Sequence, residues 1–195
     1  MKLYLTAGSG NAYKVRLLLS MLRVAYEKQE VDFASREHKQ PAFLAINPRG
    51  QVPVLQDDDR AYWDSTACLV YIALKHGKGE WLPTDPAGMA EVMQWLALSN
   101  NELHYGLQWA RGVLRGNQSG DVEQYRAYGR GGLEALETRL KVHAWLALER
   151  PTIADVACYP YVAVAPEGVL SLDPYPAVGS WLERFRALPG WIPRL

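Results

Sequence analysis

The sequence predicts an α+β domain with the element order βαβ-ββα, followed by an all-α domain. Strand-like and helix-like apolar patterns alternate up to about residue 77, whereas almost every later pattern has the helical period. The segment 76–88, HGKGEWLPTDPAG, lies between these regions and concentrates the glycine, proline and aspartate residues that interrupt helices. Six of the seven tryptophans follow residue 77. We therefore predict two domains, at 1–77 and 84–195.

Short strands alternate with helical stretches in the first domain. The strands are predicted at 2–6, 26–33, 52–55 and 60–63. The helices are predicted after the turn Gly8-Ser9-Gly10-Asn11, over a stretch to Ile46 that Pro41 interrupts, and from Asp64 to Leu74. The acidic turn 57–59 joins the last two strands as a hairpin.

Helical periods run through the second domain, separated by clusters of turn residues. The helices are predicted at 89–115, 122–148, 153–164 and 177–188. Gly129, Gly131 and Gly132 weaken the second of these predictions, since glycine inside a helix costs about 1 kcal/mol relative to alanine.

Composition excludes several classes of function. The 195 residues are 49% hydrophobic and 22% charged, which is typical of a globular protein with a sizeable core. Basic and acidic residues number 21 each, so no basic surface is expected for nucleic acid or an anionic membrane. The sequence has no signal-peptide core and no apolar run of about 18 residues. Because Cys68 and Cys158 lie far apart in helix-like segments, we expect a cytoplasmic protein without disulfides.

Ser9 and Asn11 are the first candidates for a chemical role, because they flank the start of the first helix. A hydroxyl or amide donor at this position can stabilise a thiolate, whose ordinary thiol pKa is about 8.5. The same position is equally typical of a helix N-cap. No candidate general base lies near Ser9 in the sequence, which argues against a Ser-His-Asp hydrolase.

Two dipeptides are further candidates. Pro53 opens a strand, so the Val52–Pro53 bond is either an ordinary edge proline or a cis bond that turns the Val52 backbone groups outward to pair with a peptide. Asp64 and Ser65 begin a helix. One interpretation is that they cap the helix. The other is that they bind an α-amino acid: the N–H groups at the helix start and the Ser65 hydroxyl would bind its carboxylate, and Asp64 would bind its ammonium group.

Two other patterns are interpreted structurally. Thr152 and Asp155 match a capping box that begins a buried helix after Pro151. The four histidines and two cysteines show no metal-ligand spacing, so no metal site is predicted.

These motifs together resemble the cytosolic glutathione S-transferase family, in particular its bacterial, beta-like members. The resemblance rests on Ser9-Gly10-Asn11, on the run 47–55 (NPRGQVPVL), on Asp64-Ser65 and on the segment 152–155 (TIAD), and it covers essentially the whole chain. It implies a thioredoxin-like first domain, a helical second domain that contributes the electrophile pocket, glutathione as co-substrate and a homodimer. The implied activity is conjugation of glutathione to small hydrophobic electrophiles. The alternatives are glutathione-dependent disulfide or peroxide reduction, and a non-catalytic binding protein.

The resemblance also implies roles for individual residues. Val52, before a cis-Pro53, would pair its backbone with the cysteinyl part of glutathione, and Gln51 would contact the same tripeptide. Asp64 and Ser65 would hold the γ-glutamyl end. The candidates for the basic residue that binds the glycine carboxylate are His38 and Lys39.

At the position that activates the thiol, this chain differs from the beta class. Gly10 occupies the position where the beta class carries its cysteine, so Ser9 is the first candidate and Asn11 the second. His104 resembles the histidine with which that class faces its active site. The candidates for the electrophile pocket are His104, Tyr105, Leu107 and Trp109, although these residues equally suit a helical core.

Overall fold

The computed structural model describes residues 1–194, and these divide into two compact units. Residues 1–79 and 189–194 belong to the first unit, and residues 80–188 form the second. Within the described part of the chain, no helix has the length and apolar character needed to cross a membrane.

A four-stranded sheet with helices is the framework of the first unit. The elements are β1 (Lys2–Leu5), α1 (Gly10–Met21), β2 (Glu27–Glu30), α2 (Pro41–Leu44), β3 (Val54–Asp57), β4 (Arg60–Trp63) and α3 (Ser65–His76). The strand order is β2-β1-β3-β4, with β1 parallel to β2 and antiparallel to β3. The predicted order βαβ-ββα is confirmed. Apolar side chains on β1, β3, α1 and α3 are fully buried and form the core of this unit.

The second unit is helical, as predicted. Its α-helices are α4 (Pro86–Leu98), α5 (Trp109–Leu114), α6 (Val122–Leu140), α7 (Ile153–Val162) and α8 (Pro176–Arg186). Every residue of α7 is buried, so this helix lies at the centre of the unit. The predicted capping box is present at its start, where Thr152 accepts from the Ala154 amide and Asp155 accepts from the Thr152 amide.

The prediction of a single α-helix at 89–115 is wrong, because the helical segment there has three parts. Residues Ser99–Gln108 form a π-helical stretch between α4 and α5. A Cβ on Gly106 in this stretch would lie 2.3 Å from the backbone of Gly129 in α6. A Cβ on Gly129 would in turn lie 2.6 Å from a methyl carbon of Leu107. The glycine of α6 that weakened the helix prediction is therefore needed for a close approach between two backbones.

The helix predicted at 122–148 ends early, at Leu140. The segment after it carries Leu146, fully buried, whose amide donates to the Asp155 carboxylate at 3.2 Å. The same carboxylate oxygen accepts from the Trp181 indole N–H at 3.0 Å. The chain leaves the helical path because burial of Leu146 and these bonds to a distant carboxylate favour an irregular turn.

Residues 189–194 also differ from the prediction, which placed them in the helical domain. They belong to the first unit, where the Tyr13 hydroxyl donates to the Ile192 carbonyl at 2.6 Å. The sequence contains no local signal for this contact, because its partners are far apart along the chain.

Candidate active site

A small cleft of about 20 Å³ in the first unit brings most of the predicted site residues together. Its lining residues come from the start of α1, from the loop before β3 and from the end of β4 with the start of α3. They are Asn11, Asn47, Arg49, Gln51, Val52, Pro53, Trp63, Asp64 and Ser65. Six of the predicted residues are in this set, and Asn47, Arg49 and Trp63 were given no role from sequence.

The loop before β3 is organised by the side chain of Asn47, which is only 1% exposed. Its Nδ2 donates to the Gln51 carbonyl at 2.7 Å, and its Oδ1 accepts from the Arg49 amide at 3.0 Å. The loop leads into the Val52–Pro53 bond, which is cis, as the resemblance implied. An asparagine that accepts from the amide two residues on is a known turn device, so the Asn-Pro-Arg-Gly run did contain a signal for this role.

Asp64 and Ser65 lie where β4 passes into α3. Asp64 has φ 76° and ψ 132°, a conformation that typically costs a non-glycine residue about 1–3 kcal/mol and often marks a functional site. Its Oδ1 accepts from the Thr66 amide at 2.8 Å, so it caps the helix. Ser65 is buried, and its hydroxyl donates to Asn11 Oδ1 at 2.9 Å. Asp64 therefore fulfils the cap interpretation, while Ser65 connects the helix start to α1.

Arg49 gives the cleft a positive charge. Its guanidinium lies 3.4 Å from Asp64 Oδ2 and about 6.0 Å from the centre of the Trp63 ring. The cleft therefore presents one cation and one carboxylate side by side, with the start of α3 and the Ser65 hydroxyl next to them. This arrangement is complementary to the ammonium and carboxylate of an α-amino acid end.

Ser9 and Asn11 take different positions at the start of α1. Ser9 is the N-cap, and its Oγ accepts from the Ala12 amide at 3.2 Å. It lines a separate small cavity with Arg16 and Arg194, whereas Asn11 lines the cleft described above. The structure thus associates Asn11, the second candidate, with the other site residues.

Comparison with known proteins identifies the family. The model for the glutathione S-transferase N-terminal domain matches residues 1–74, and that for the glutathione S-transferase C-terminal domain matches residues 122–189. The chain belongs to the glutathione S-transferase family. The thioredoxin-like first unit and the helical second unit are the fold of that family.

Relatives of this chain within the family carry different names. It is 32% identical to a maleylacetoacetate isomerase from Pseudomonas aeruginosa, over 91% of this chain and 87% of that protein. It is 29% identical to the disulfide-bond oxidoreductase YfcG from Escherichia coli, over 94% of this chain and 89% of that protein. A crystal structure of a possible glutathione S-transferase from Rhodopseudomonas palustris has a TM-score of 0.90 at 35% identity, covering 98% of this chain and 96% of that one.

A further solved relative contains a glutathione ligand. The glutathione transferase from Phanerochaete chrysosporium, in complex with oxidized glutathione, has a TM-score of 0.88 at 26% identity, covering 97% of this chain and 91% of that one.

His38 and Lys39 follow β2 on a short 3₁₀ turn and lie outside the cleft lining. The turn contacts the cleft loop at Gly50, which has φ 58° and where a Cβ would lie 2.6 Å from the His38 carbonyl oxygen. The Lys39 ammonium donates to the Arg49 carbonyl at 3.1 Å. The 3₁₀ turn is therefore in direct contact with the loop that forms the site.

The two basic side chains differ in charge. The His38 ring stacks on Phe33 with centroids 4.0 Å apart. Burial lowers the pKa of His38 below its ordinary value, and the charges of Lys39 and Arg36 lower it further. His38 is therefore mostly neutral at pH 7, whereas the exposed Lys39 supplies a cation beside the loop.

The residues predicted for the electrophile pocket have different environments in the second unit. His104 is half-buried and stacks on Tyr161 with centroids 5.3 Å apart. Leu107 is fully buried and belongs to the core. Tyr105 is 41% exposed and lines a surface groove of about 490 Å³. The other lining residues of that groove are Gln124, Tyr125, Ala127 and Tyr128.

Cys68 lies inside α3, away from any reactive environment. It is fully buried, and its Sγ donates to the Tyr62 carbonyl at 3.3 Å. Burial raises the pKa of the Cys68 thiol to about 12. This thiol is therefore not a nucleophile at neutral pH.

Proposed function

We propose that this glutathione S-transferase binds reduced glutathione in the first-unit cleft, stabilises its thiolate and transfers it to a carbon atom of small hydrophobic electrophiles. The observation that carries the proposal is the hydrogen bond from Ser65 to Asn11, because it joins an amino-acid-binding helix start directly to a candidate thiol-activating residue. Membership of the glutathione S-transferase family supports this class of reaction.

The γ-glutamyl end of glutathione fits the charged part of the cleft. Its carboxylate would accept from the Ser65 hydroxyl and the amides at the start of α3, and its ammonium would approach Asp64 Oδ2. Arg49, which already contacts that oxygen, balances the charge of Asp64. The Val52 backbone would pair with the cysteinyl residue, and Gln51 lines the cleft beside it. Lys39 would bind the glycine carboxylate.

Asn11 would donate from its amide nitrogen to the glutathione sulfur, since its Oδ1 accepts from Ser65. A hydrogen bond to a charged group contributes about 1.5–3 kcal/mol, which lowers a pKa by about one to two units. This would bring a thiol of pKa about 8.5 close to neutrality. The thiolate then attacks the electrophilic carbon, a carbon–sulfur bond forms, and the leaving group departs with the bonding electron pair. Ser9 is the second candidate for the donor.

Glutathione-dependent disulfide reduction is the second candidate function. It is favoured by the similarity to the disulfide-bond oxidoreductase YfcG. Gly10 stands where a beta-class cysteine would lie, and the Cys68 thiol is buried with its pKa raised to about 12, so glutathione itself would supply the electrons. Two glutathione molecules would lose their thiol protons and become joined as a disulfide, while the substrate disulfide is reduced to two thiols.

Two assays on the purified protein test these functions. Retention on immobilised glutathione followed by turnover of an aryl halide supports conjugation, whereas turnover of hydroxyethyl disulfide alone supports reduction. Binding to glutathione without either turnover would favour a non-catalytic protein. Failure to bind glutathione with Asp64 and Ser65 intact would overturn the proposed function.

The proposal includes a homodimer in the cytoplasm, both of which are typical of the family. The mass of the protein in solution, measured by light scattering, tests the first; a monomer at micromolar concentration would contradict it. Cell fractionation tests the second.

A further inference from the structure

Residues 189–194 contact α1 at two places and the turn before it at a third. The first is at Gly190, which has φ 82° and where a Cβ would lie 2.7 Å from Met21 Cα and 2.8 Å from the Ser20 carbonyl oxygen. Only a residue without a side chain allows this approach to the last turn of α1. The backbones of the two segments are therefore in direct contact.

The second contact is in the first half of α1. The Tyr13 side chain is buried, and its hydroxyl donates to the Ile192 carbonyl at 2.6 Å. The Tyr13 ring also carries the Arg16 guanidinium about 6.0 Å from its centre. Because the Tyr13 hydroxyl is buried and bonded to a backbone carbonyl, it fixes the position of residues 189–194 along the axis of α1.

The third contact precedes the helix. The Arg194 guanidinium donates a hydrogen bond to the Gly8 carbonyl, and Arg194 shares a small cavity with Gly8, Ser9 and Arg16. Gly8 has φ 76°, and no heavy atom lies within 4 Å of the place where its Cβ would be. The turn at Gly8 is thus permissive in its backbone and open on its side-chain face, and Arg194 bonds its carbonyl.

We propose that Arg194 is a positioning residue for the thiol-activating start of α1. By holding the Gly8 carbonyl, it fixes the turn that leads into Ser9 and Asn11, and so fixes the direction from which Asn11 reaches the cleft. This inference rests on the proposed function, since it assigns Arg194 a role in activating the glutathione thiol.

The role predicts separate effects on binding and on activation. The loop before β3 and the start of α3 would hold the tripeptide by Val52, Asp64 and Ser65, which line a different cavity from Arg194. Loss of Arg194 should therefore leave the KM for glutathione within about 2-fold, while the thiol pKa rises as its donor becomes less well placed.

The test compares Arg194→Ala with Arg194→Lys, which keeps a cationic donor, and with Arg60→Ala, a change to an exposed arginine of β4. The measurement is kcat/KM for the electrophile against pH at saturating glutathione, because this quantity reports the thiol of bound glutathione. In Arg194→Ala the inflection should move upward by about one unit, and activity below the inflection should fall roughly 10-fold. Arg194→Lys should restore most of this loss, and Arg60→Ala should match the unchanged protein.

A second measurement is independent of turnover. Amide hydrogen exchange of residues 8–12 should become faster in Arg194→Ala and in Tyr13→Phe, which removes only the hydroxyl that holds Ile192. Exchange in β3 should stay unchanged.

The two proposals fail in different ways. If the unchanged protein neither binds nor turns over glutathione, the proposed function and the role of Arg194 both fail. If it does turn over glutathione, but Arg194→Ala keeps the same pH profile and the same exchange at residues 8–12, only the role of Arg194 is overturned.

Discussion

The two units differ in how their candidate binding surfaces are built. In the first unit, the cleft is made by turns and helix starts that are each held by short-range hydrogen bonds, such as Asn47 to Gln51 and Asp64 to Thr66, and the Ser65–Asn11 bond joins them across the cleft. In the second unit, the groove is lined by side chains from the π-helical stretch and α6, three of them tyrosines, and these two helices approach closely at Gly106 and Gly129.

This difference separates two kinds of specificity. Local turns present backbone groups and single charges, which suit one invariant polar ligand such as a tripeptide. A groove formed by distant aromatic residues can change with any substitution that shifts a helix. We therefore expect mutations in the second unit to change its groove by altering helix packing. We expect mutations in the first unit to change ligand binding by removing individual hydrogen bonds.

The largest effect is expected where two backbones of the second unit touch. Gly106→Ala should lower the free energy of unfolding by about 3 kcal/mol, because its Cβ would lie 2.3 Å from the Gly129 backbone and cannot be accommodated by a side-chain movement. Gly131→Ala is the matched control, since no heavy atom lies within 4 Å of its Cβ position. It should raise stability by about 0.5–1 kcal/mol. Urea unfolding measures both, and equal effects would disprove the close approach.

The next effect is catalytic and lies in the first unit. Asn11→Ala should lower kcat/KM roughly 10- to 100-fold, because it would remove the donor that we propose for the thiolate. Ser9→Ala should lower kcat/KM less than about 3-fold and should lower stability by about 1 kcal/mol through loss of the N-cap. Steady-state kinetics with thermal unfolding distinguish the two. A larger kinetic loss in Ser9→Ala would return the role to Ser9.

A pH effect is expected at the β3–β4 hairpin. Asp57 accepts from Lys75 and, at 2.7 Å, from the Tyr71 hydroxyl, and these bonds lower its pKa below the ordinary value of 3.8. The resulting stabilisation is complete above that ordinary value and is lost as the pH falls through the lower, folded-state pKa. Unfolding followed from about pH 5 to pH 2 should show this loss in the unchanged protein.

The matched comparison for this hairpin is Asp57→Asn against Asp59→Asn, an exposed carboxyl of the same turn. Asp57→Asn should be less stable at pH 7 and less sensitive to acid. Asp59→Asn should behave as the unchanged protein. If Asp57→Asn loses as much stability at acidic pH as the unchanged protein does, other carboxyl groups cause that loss.

The smallest effect concerns the glycine carboxylate. Lys39→Ala should raise the KM for glutathione by about 2- to 5-fold, as expected for one exposed charge pair. His38→Ala should change it less, because the lowered pKa of His38 leaves its ring mostly neutral at pH 7. If His38→Ala has the larger effect at pH 7, the assignment of Lys39 is wrong.

Features that depend on neighbouring residues could be predicted from the sequence, whereas contacts between distant residues could not. Thr152 was predicted as a cap, and Ser9 and Asp64 were cap candidates beside their possible binding roles, because a cap needs only its neighbours along the chain; all three are caps in the structure. Arg49 was given no role, since its contact with Asp64 appears only when the loop and the start of α3 come together.

Burial and helix type were harder to predict. Lys14 is fully buried in α1, although a lysine is usually exposed. The π-helical stretch was predicted as an ordinary α-helix because nothing in its apolar spacing distinguishes a wider turn. Both depend on how distant elements pack, which a single sequence does not record.

The return of residues 189–194 to the first unit means that this unit is discontinuous in sequence. The chain leaves it after residue 79 and re-enters it at residue 189, so the helical unit is inserted between two parts of one fold. A single cut in the linker therefore does not release an intact first unit. A fragment of residues 1–79 would expose to water the part of α1 that residues 189–194 contact. Adding residues 189–194 as a separate peptide should restore these contacts.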